Sequence, residues 1–304
     1  MNGNLETPDA AVLRAQLTRA LIPSRGRIDT RADEARRFER WRLEPSQPDI
    51  TSSIVADDRD GFSETITEKV TETPVFDHAL FPAMSAAENL TTVVNMIDNW
   101  DENGQIRTVS LITLCRSALE SSARTVWILA PEGRTQRRER ALRVTKTEVL
   151  GQKKYLTAEL ERTDPSIDRN RLIADLDAAK AVLNELDDVK PAILHEQAID
   201  YAAKWIDDNS PNTANTPMAP VSRSMYSIAS GIAHGYQWAT TRLRTPTDLM
   251  NLVADFLYAA NTMTGAAVLL YEAQAAASED IGDNCPPHLR AVAGLFHKRY
   301  PPSG

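Results

Sequence analysis

Tyr226, Ser230 and His234 stand four residues apart in the stretch SRSMYSIASGIAHGYQWATTRL, so on a helix they share one face. An imidazole beside hydroxyl groups is the material of general acid–base chemistry or of phosphate binding. His234 is therefore a candidate catalytic group, with Ser230 or Tyr226 to orient it. Arg116, Glu120 and Arg124 repeat the same spacing in RTVSLITLCRSALESSARTVWILA. Two guanidiniums held by one carboxylate present a fork to an anionic ligand. If the two seams face each other, Glu120 is the second catalytic candidate, through a hydrogen bond to His234. Arg116, Arg124, Tyr226 and Ser230 would then line a small polar pocket for a nucleotide or an RNA phosphate. Each constellation has a bland alternative: a core histidine satisfied by its neighbours, and an ion ladder joining two helices. Ser227, Gly231 and Gly235 form another face of the same stretch, small enough for a second backbone to approach.

Other residue patterns point away from chemistry. The five histidines never fall three or four residues apart, so no histidine metal centre is expected, and no cofactor motif is present. Asp57, Asp58 and Asp60 lie in a Ser/Thr-rich stretch rather than on an apolar helix, so they are set aside as a metal motif. The run Arg134, Arg137, Arg138, Arg140 and Arg143 reads as the solvated face of a long helix, with anion or RNA binding as its minor reading.

These residues need an all-α scaffold, a multi-helix bundle. The stretch 107–130 carries two apolar stripes and reads as the central helix. Before it come helices at 8–21, ended by Pro23, and at 30–43, with Thr30 as cap and Phe38 and Trp41 as anchors; together they fill an N-terminal segment, 1–44. Residues 45–75 read as an irregular linker with a short strand near 65–70. The bundle proper spans 76–304. It opens with helix 84–100, started by a Ser85–Glu88 capping box. Residues 134–163 and 167–189 form a long antiparallel hairpin, with Leu142, Val149 and Leu156 facing Leu172, Leu176, Leu183 and Leu186 at coiled-coil-like spacing. Helices at 191–207, 221–244, 247–276 and 288–298 complete the chain.

Composition bounds the function. The chain has 304 residues, a net charge of −8, 25% charged and 42% hydrophobic residues, the make-up of a globular protein. That charge does not support nucleic acid as the main partner, because phosphate contacts need concentrated cations. Cys115 and Cys285 give no disulfide framework, which suits a cytoplasmic setting. No signal peptide is read at the N-terminus. Asn251, Asp255 and Asn261 interrupt the most apolar stretch, so no membrane span is expected. Arginine over lysine, with abundant alanine, suggests a bacterial source. The alternative function is a non-enzymatic interaction module, in which the 134–189 hairpin docks a protein partner or a second copy as a homodimer.

Two segments, RSALESSARTVWILAPEGRTQRRERALR and YSIASGIAHG, resemble a loose group of helical actinobacterial proteins to which no activity is attached. More distantly, the chain resembles the HEPN superfamily, helical proteins that include ribonuclease toxins and abortive-infection proteins. Its ribonucleases carry an arginine followed four to six residues later by histidine, and Arg290 and His297 have six residues between them, with Ala291 where that family usually has a polar residue. The resemblance implies a helical fold and an RNA or nucleotide phosphate as ligand.

Overall fold

The computed structural model describes residues 23–59, 62–100, 107–162, 166, 168–210, 216–241 and 243–301. The expected helix at 8–21 lies outside these residues, as does most of the turn at 163–166. The fold is all-α, and no strand occurs among the described residues.

Helix α1 spans 23–36 and passes into a run of turns to residue 43. Pro23 is the first described residue of this helix. Thr30 is not a cap, because its hydroxyl donates to Gly26 O at 2.9 Å inside the helix. Phe38 and Trp41 are buried as expected.

The irregular linker is a correction. Residues 45–75 hold helix α2 (Ser53–Arg59) and helix α3 (Glu64–Lys69), the latter where a strand was expected. Polar composition misled here because the polar groups face inward. Ser63 caps α3, and the Asp58 carboxylate accepts the amides of Val75 (2.8 Å) and Phe76 (3.0 Å). Those amides open helix α4 (Pro74–Asp98), where Pro74 suits the first turn. Burial pushes the Asp58 carboxyl up to about 7 against these two hydrogen bonds. The Ser85–Glu88 capping box is also overturned, since both residues sit inside α4 and the helix runs through Pro82. Thr125 Oγ1 donates to Ala79 O at 2.7 Å, supplying a donor to the turn that Pro82 weakens.

Helix α5 (Thr108–Leu129) is the central element. It packs on α4, on helix α6 (Arg134–Glu161) and on the three later helices α8, α9 and α10: His195–Asn209, Met218–Ala233 and Pro246–Ala275. Leu111, Ile112, Ala118, Ala123 and Val126 are its inaccessible contacts. Helix α7 (Arg169–Glu185) runs antiparallel to α6. Arg169 reaches Arg162 O (3.2 Å) at one end of this hairpin, and Lys146 reaches Leu186 O (2.8 Å) at the other. Its seam is built from Val149, Ala179, Val182 and Leu186, with Leu142 and Leu183 half-buried against them. Leu156 is buried, while Leu172 and Leu176 are half-buried. Ile66 of α3 fills the seam together with Phe62 and Val70.

Asp207 on α8 accepts the amides of Met218 (2.6 Å) and Ala219 (3.0 Å), capping α9 from a neighbouring helix. Helix α10 opens with a Thr245–Asp248 capping box. It is long and apolar enough by length and composition to cross a membrane, but most of it is buried inside the protein. Helix α11 (Pro287–His297) closes the described chain.

The expected helix 221–244 ends early. After Ala233 the chain reverses through Gly235, whose φ is +69°, and continues as a 3-10 turn, Gln237–Thr240. The amide of Tyr236 bonds Gly231 O (2.8 Å) and that of Gly235 bonds Ile232 O (3.0 Å), the paired bonds of a Schellman stop. Gly231 serves the same reversal. A Cβ there would lie 2.7 Å from Trp238 Cζ2 and 2.9 Å from Ala239 Cβ. The small face of this stretch therefore receives its own returning chain, not another long helix.

Candidate functional site

The central-helix seam is divided between two environments. Arg116 Nε donates to Glu120 Oε1 at 2.7 Å, and its guanidinium lies over the Tyr226 ring at 5.4 Å. The meeting of this seam with α9 is therefore real, but it is made by stacking on Tyr226. Arg124 turns the other way and bonds Glu148 Oε1 at 3.3 Å. Glu148 Oε2 also lies 3.4 Å from His78 Nδ1. His78 Nε2 is 2.9 Å from Thr145 Oγ1, and that hydroxyl also donates to Ala141 O. Burial holds the His78 imidazole below its ordinary range, with Glu148 and Asp77 opposing.

His234 stands at the Schellman stop, exposed, with its ring against Tyr236 at 5.8 Å between centroids. Its side chain makes no hydrogen bond to Glu120. Ser230 is half-buried one turn before it, and its carbonyl accepts the His234 amide at 3.1 Å. The expected i, i+4, i+8 stripe is cut at its last member because the helix stops there. Tyr226 instead lines a hollow of about 400 Å3 with Tyr201, Arg223, Lys204 and Asp200. Both cations pair with Asp200, so neither is left for an anionic ligand.

The arginine run on α6 is not a solvated face. Arg137 is 1% exposed and grips Asp57, also 1% exposed, through Nε (2.5 Å) and Nη2 (2.9 Å). Its other donors meet Ser53 Oγ, Pro131 O and Glu132 O. Arg134 bonds Ala56 O, and Arg138 lies over Phe62. Arg140 lies over Tyr201 and Trp127, and Arg143 over Trp127. The chain itself takes up every member of the run.

A different place in the molecule keeps polar groups in reserve. A cleft of about 610 Å3 opens between α1, α8, α10 and α11. The segment at the end of α1 contributes Arg31, Glu34, Arg37 and Phe38; α8 contributes Trp205; α10 contributes Tyr258, Asn261, Gly265 and Ala266; α11 contributes His288 and Phe296. Trp205 and Phe296 pair at 5.5 Å, and Phe38 meets His288 edge-on at 5.7 Å. Arg31 lies over Tyr258 at 4.7 Å and holds both Glu34 oxygens at 2.7 and 2.8 Å. Arg37 is exposed and makes no ion pair among the described residues. Asn261 is 6% exposed; its amide donates to Arg31 O, and its Oδ1 accepts no hydrogen bond. Burial lowers the His288 imidazole, with Arg37 adding to the shift, so it is neutral at pH 7.

A neighbouring cleft of about 640 Å3, lined by Arg223, Asp248, Asn251 and Asp255, has no such reserve. Arg27 pairs with Asp255, Ser24 and Arg27 bond Asn251, and Asp248 caps α10.

Sequence reasoning passed over the 610 Å3 cleft because its walls come from four segments between residues 31 and 296. One local signal was readable. Gly265 lies in the middle of a 30-residue helix, where glycine costs about 1 kcal/mol against alanine. Among the described residues, no group of three His, Cys, Asp or Glu side chains is placed to hold a metal ion. Comparison of the chain with protein-family models, with curated proteins and with solved structures finds no match.

Proposed function

We propose that this protein binds a small anionic ligand in the inter-helix cleft between α1, α8, α10 and α11. The carrying observation is Arg37, a guanidinium left without a carboxylate at a concave, aromatic-walled surface. Elsewhere the chain pairs its clustered arginines or stacks them on rings. The cleft volume falls within the range of small-molecule sites, roughly 300–1,000 Å3. Aromatic walls with a few polar groups are also the usual lining of such sites.

The same ligand class follows from the HEPN likeness, but the Arg290–His297 pair gives it no cleavage chemistry. Arg290 donates to Cys285 O (2.9 Å) and Asp283 O (2.7 Å), and His297 Nδ1 meets Ala273 O (2.9 Å). Arg290 holds the 276–286 loop in place, and His297 ties α11 to the last turn of α10. The reading is therefore binding rather than strand scission. A cytoplasmic setting accords with two free, buried thiols, Cys115 and Cys285.

Thermal shift with AMP, ATP, inorganic phosphate and 2-naphthoate tests the proposal. A ligand that binds only the folded state raises Tm, by an amount equivalent to about 2.7 kcal/mol at a hundredfold excess over Kd. At least one of these anions should raise Tm, and Arg37→Gln should abolish the shift. A shift that survives Arg37→Gln but vanishes in Arg116→Gln would move the site to the central-helix seam and overturn the proposal.

A further inference from the structure

The cleft's charges and walls narrow the ligand further, on the condition that the binding proposal above is right. We infer that its ligand is a planar aromatic monoanion, an aromatic carboxylate in chemical class, rather than a polyphosphate.

The first argument is charge. Arg31 and Glu34 cancel each other in a two-point contact, and among the residues lining the cleft Arg37 remains the one uncompensated cation. One guanidinium matches one carboxylate, with two parallel hydrogen bonds available to it. A second or third negative charge would find no further free cation among the residues lining the cleft, in a chain of net charge −8.

The second argument is shape. Beyond Arg37 the walls turn apolar, with the Trp205–Phe296 pair on one side and the Phe38–His288 pair on another. The floor is Gly265 and Ala266, the smallest side chains available. A Cβ on Gly265 would sit 3.7 Å from Phe38 Cζ, in ordinary contact, so the glycine is not forced by packing against Phe38. It leaves a slot over the helix backbone. Phe38 and Phe296 are buried, whereas the half-buried Trp205 offers ring surface to a further ring, and a flat ligand loses less freedom in such a slot than a flexible chain does.

Calorimetric titration with 2-naphthoate, octanoate, ATP and inorganic phosphate tests this on wild type, Arg37→Gln, Arg37→Lys and Gly265→Leu. Arg37 is exposed, so its variants keep the fold. The expected result is 2-naphthoate binding at least tenfold more tightly than octanoate or ATP. Arg37→Gln should weaken it tenfold or more, with Arg37→Lys recovering part of the loss. Gly265→Leu should block the slot; if that variant unfolds, the Arg37 pair alone decides. ATP binding as tightly as 2-naphthoate and lost in Arg37→Gln would overturn the monoanion inference while leaving the cleft as the site. Octanoate binding as tightly as 2-naphthoate would overturn the aromatic part. No binding by any probe, or binding indifferent to Arg37→Gln, would overturn both the inference and the proposal it rests on.

Discussion

Arg137 and Arg37 are the same residue type in opposite circumstances. Arg137 is sealed inside the bundle with Asp57, and its donors meet two carboxylate oxygens, a hydroxyl and two carbonyls. Arg37 stands at the rim of an aromatic cleft with no carboxylate against it. A guanidinium that the chain satisfies completely is a structural fastener, whatever its burial. One left unsatisfied at a concave surface is available to something outside the chain. Burial alone would have ranked the two in the wrong order for function.

The largest effect should come from breaking the sealed pair. Arg137→Ala strips the buried Asp57 carboxylate of both its guanidinium hydrogen bonds and leaves it only the longer ion pair with Arg134 at 3.6 Å, which costs about 3 kcal/mol; a marginally stable domain would lose most of its folded population. Arg37→Ala should stay within about 0.5 kcal/mol of wild type, as expected of an exposed, unpaired side chain. Urea midpoints for the two variants check the contrast directly, and equal losses would erase the distinction between fastener and site. Replacing both partners of the sealed pair, Asp57→Leu with Arg137→Met, should recover much of the loss.

The hairpin comes next. Ile66 is the residue of α3 that reaches the seam, so Ile66→Ala should cost about 2–5 kcal/mol. Amide hydrogen exchange should accelerate around Val149 and Val182 while the α5 amides stay protected. Uniform acceleration across both regions would mean the hairpin is not an independent satellite of the main core.

Two glycines sharpen the contrast at smaller scale. Gly231→Ala drives a methyl to 2.7 Å from Trp238 Cζ2 and should cost about 1–3 kcal/mol. Gly265→Ala meets Phe38 at 3.7 Å and should stabilise by about 0.4–1 kcal/mol through the unfolded chain. Thermal melts of the two variants should therefore move in opposite directions. A destabilised Gly265→Ala would show that this glycine is held by packing and not by the cleft.

A separate effect is in pH. The folded-state value of Asp58, raised to about 7 by burial, exceeds the unfolded value of about 3.9. The folded protein then binds this proton more tightly, and the group's contribution to stability falls as pH rises from about 4 to about 7. Asp58→Asn should flatten that part of the stability profile. An unchanged slope would show that the two α4 amides keep the carboxylate ionised throughout.

How much of this was legible in the sequence depended on range. Helices α5 and α10 were readable because their signals are local: apolar stripes, and Pro246 at the start of α10; the Thr245–Asp248 cap was not read. The hairpin was readable for the same reason, as two seams of matching period. Residues 45–75 were misread because Ser53, Asp57 and Asp58 look like linker composition. Their partners are Arg137 and the amides of Val75 and Phe76, and Arg137 lies 80 residues from Asp57. The stop at His234–Gly235 was locally encoded, as a glycine just past an apolar helix. It was missed because the aromatic residues beyond it continued the helical period. Of the site, the sequence reading reached Arg116, Glu120 and Tyr226 as neighbours, since each lies on a regular helix face. It could not reach the cleft, where Arg37, Trp205, Asn261 and His288 meet only through the packing of four helices.

The most direct test is a map of where an anion perturbs the folded chain. With isotope-labelled protein titrated with 2-naphthoate and with AMP, amide and side-chain shifts are read at two places. The account predicts the largest changes at Arg37, Phe38, the Trp205 indole, Gly265 and His288, with the amides of Arg116, Glu120 and Tyr226 unmoved. Changes centred on Arg116, Glu120 and Tyr226, or no saturable change from either anion, would contradict it.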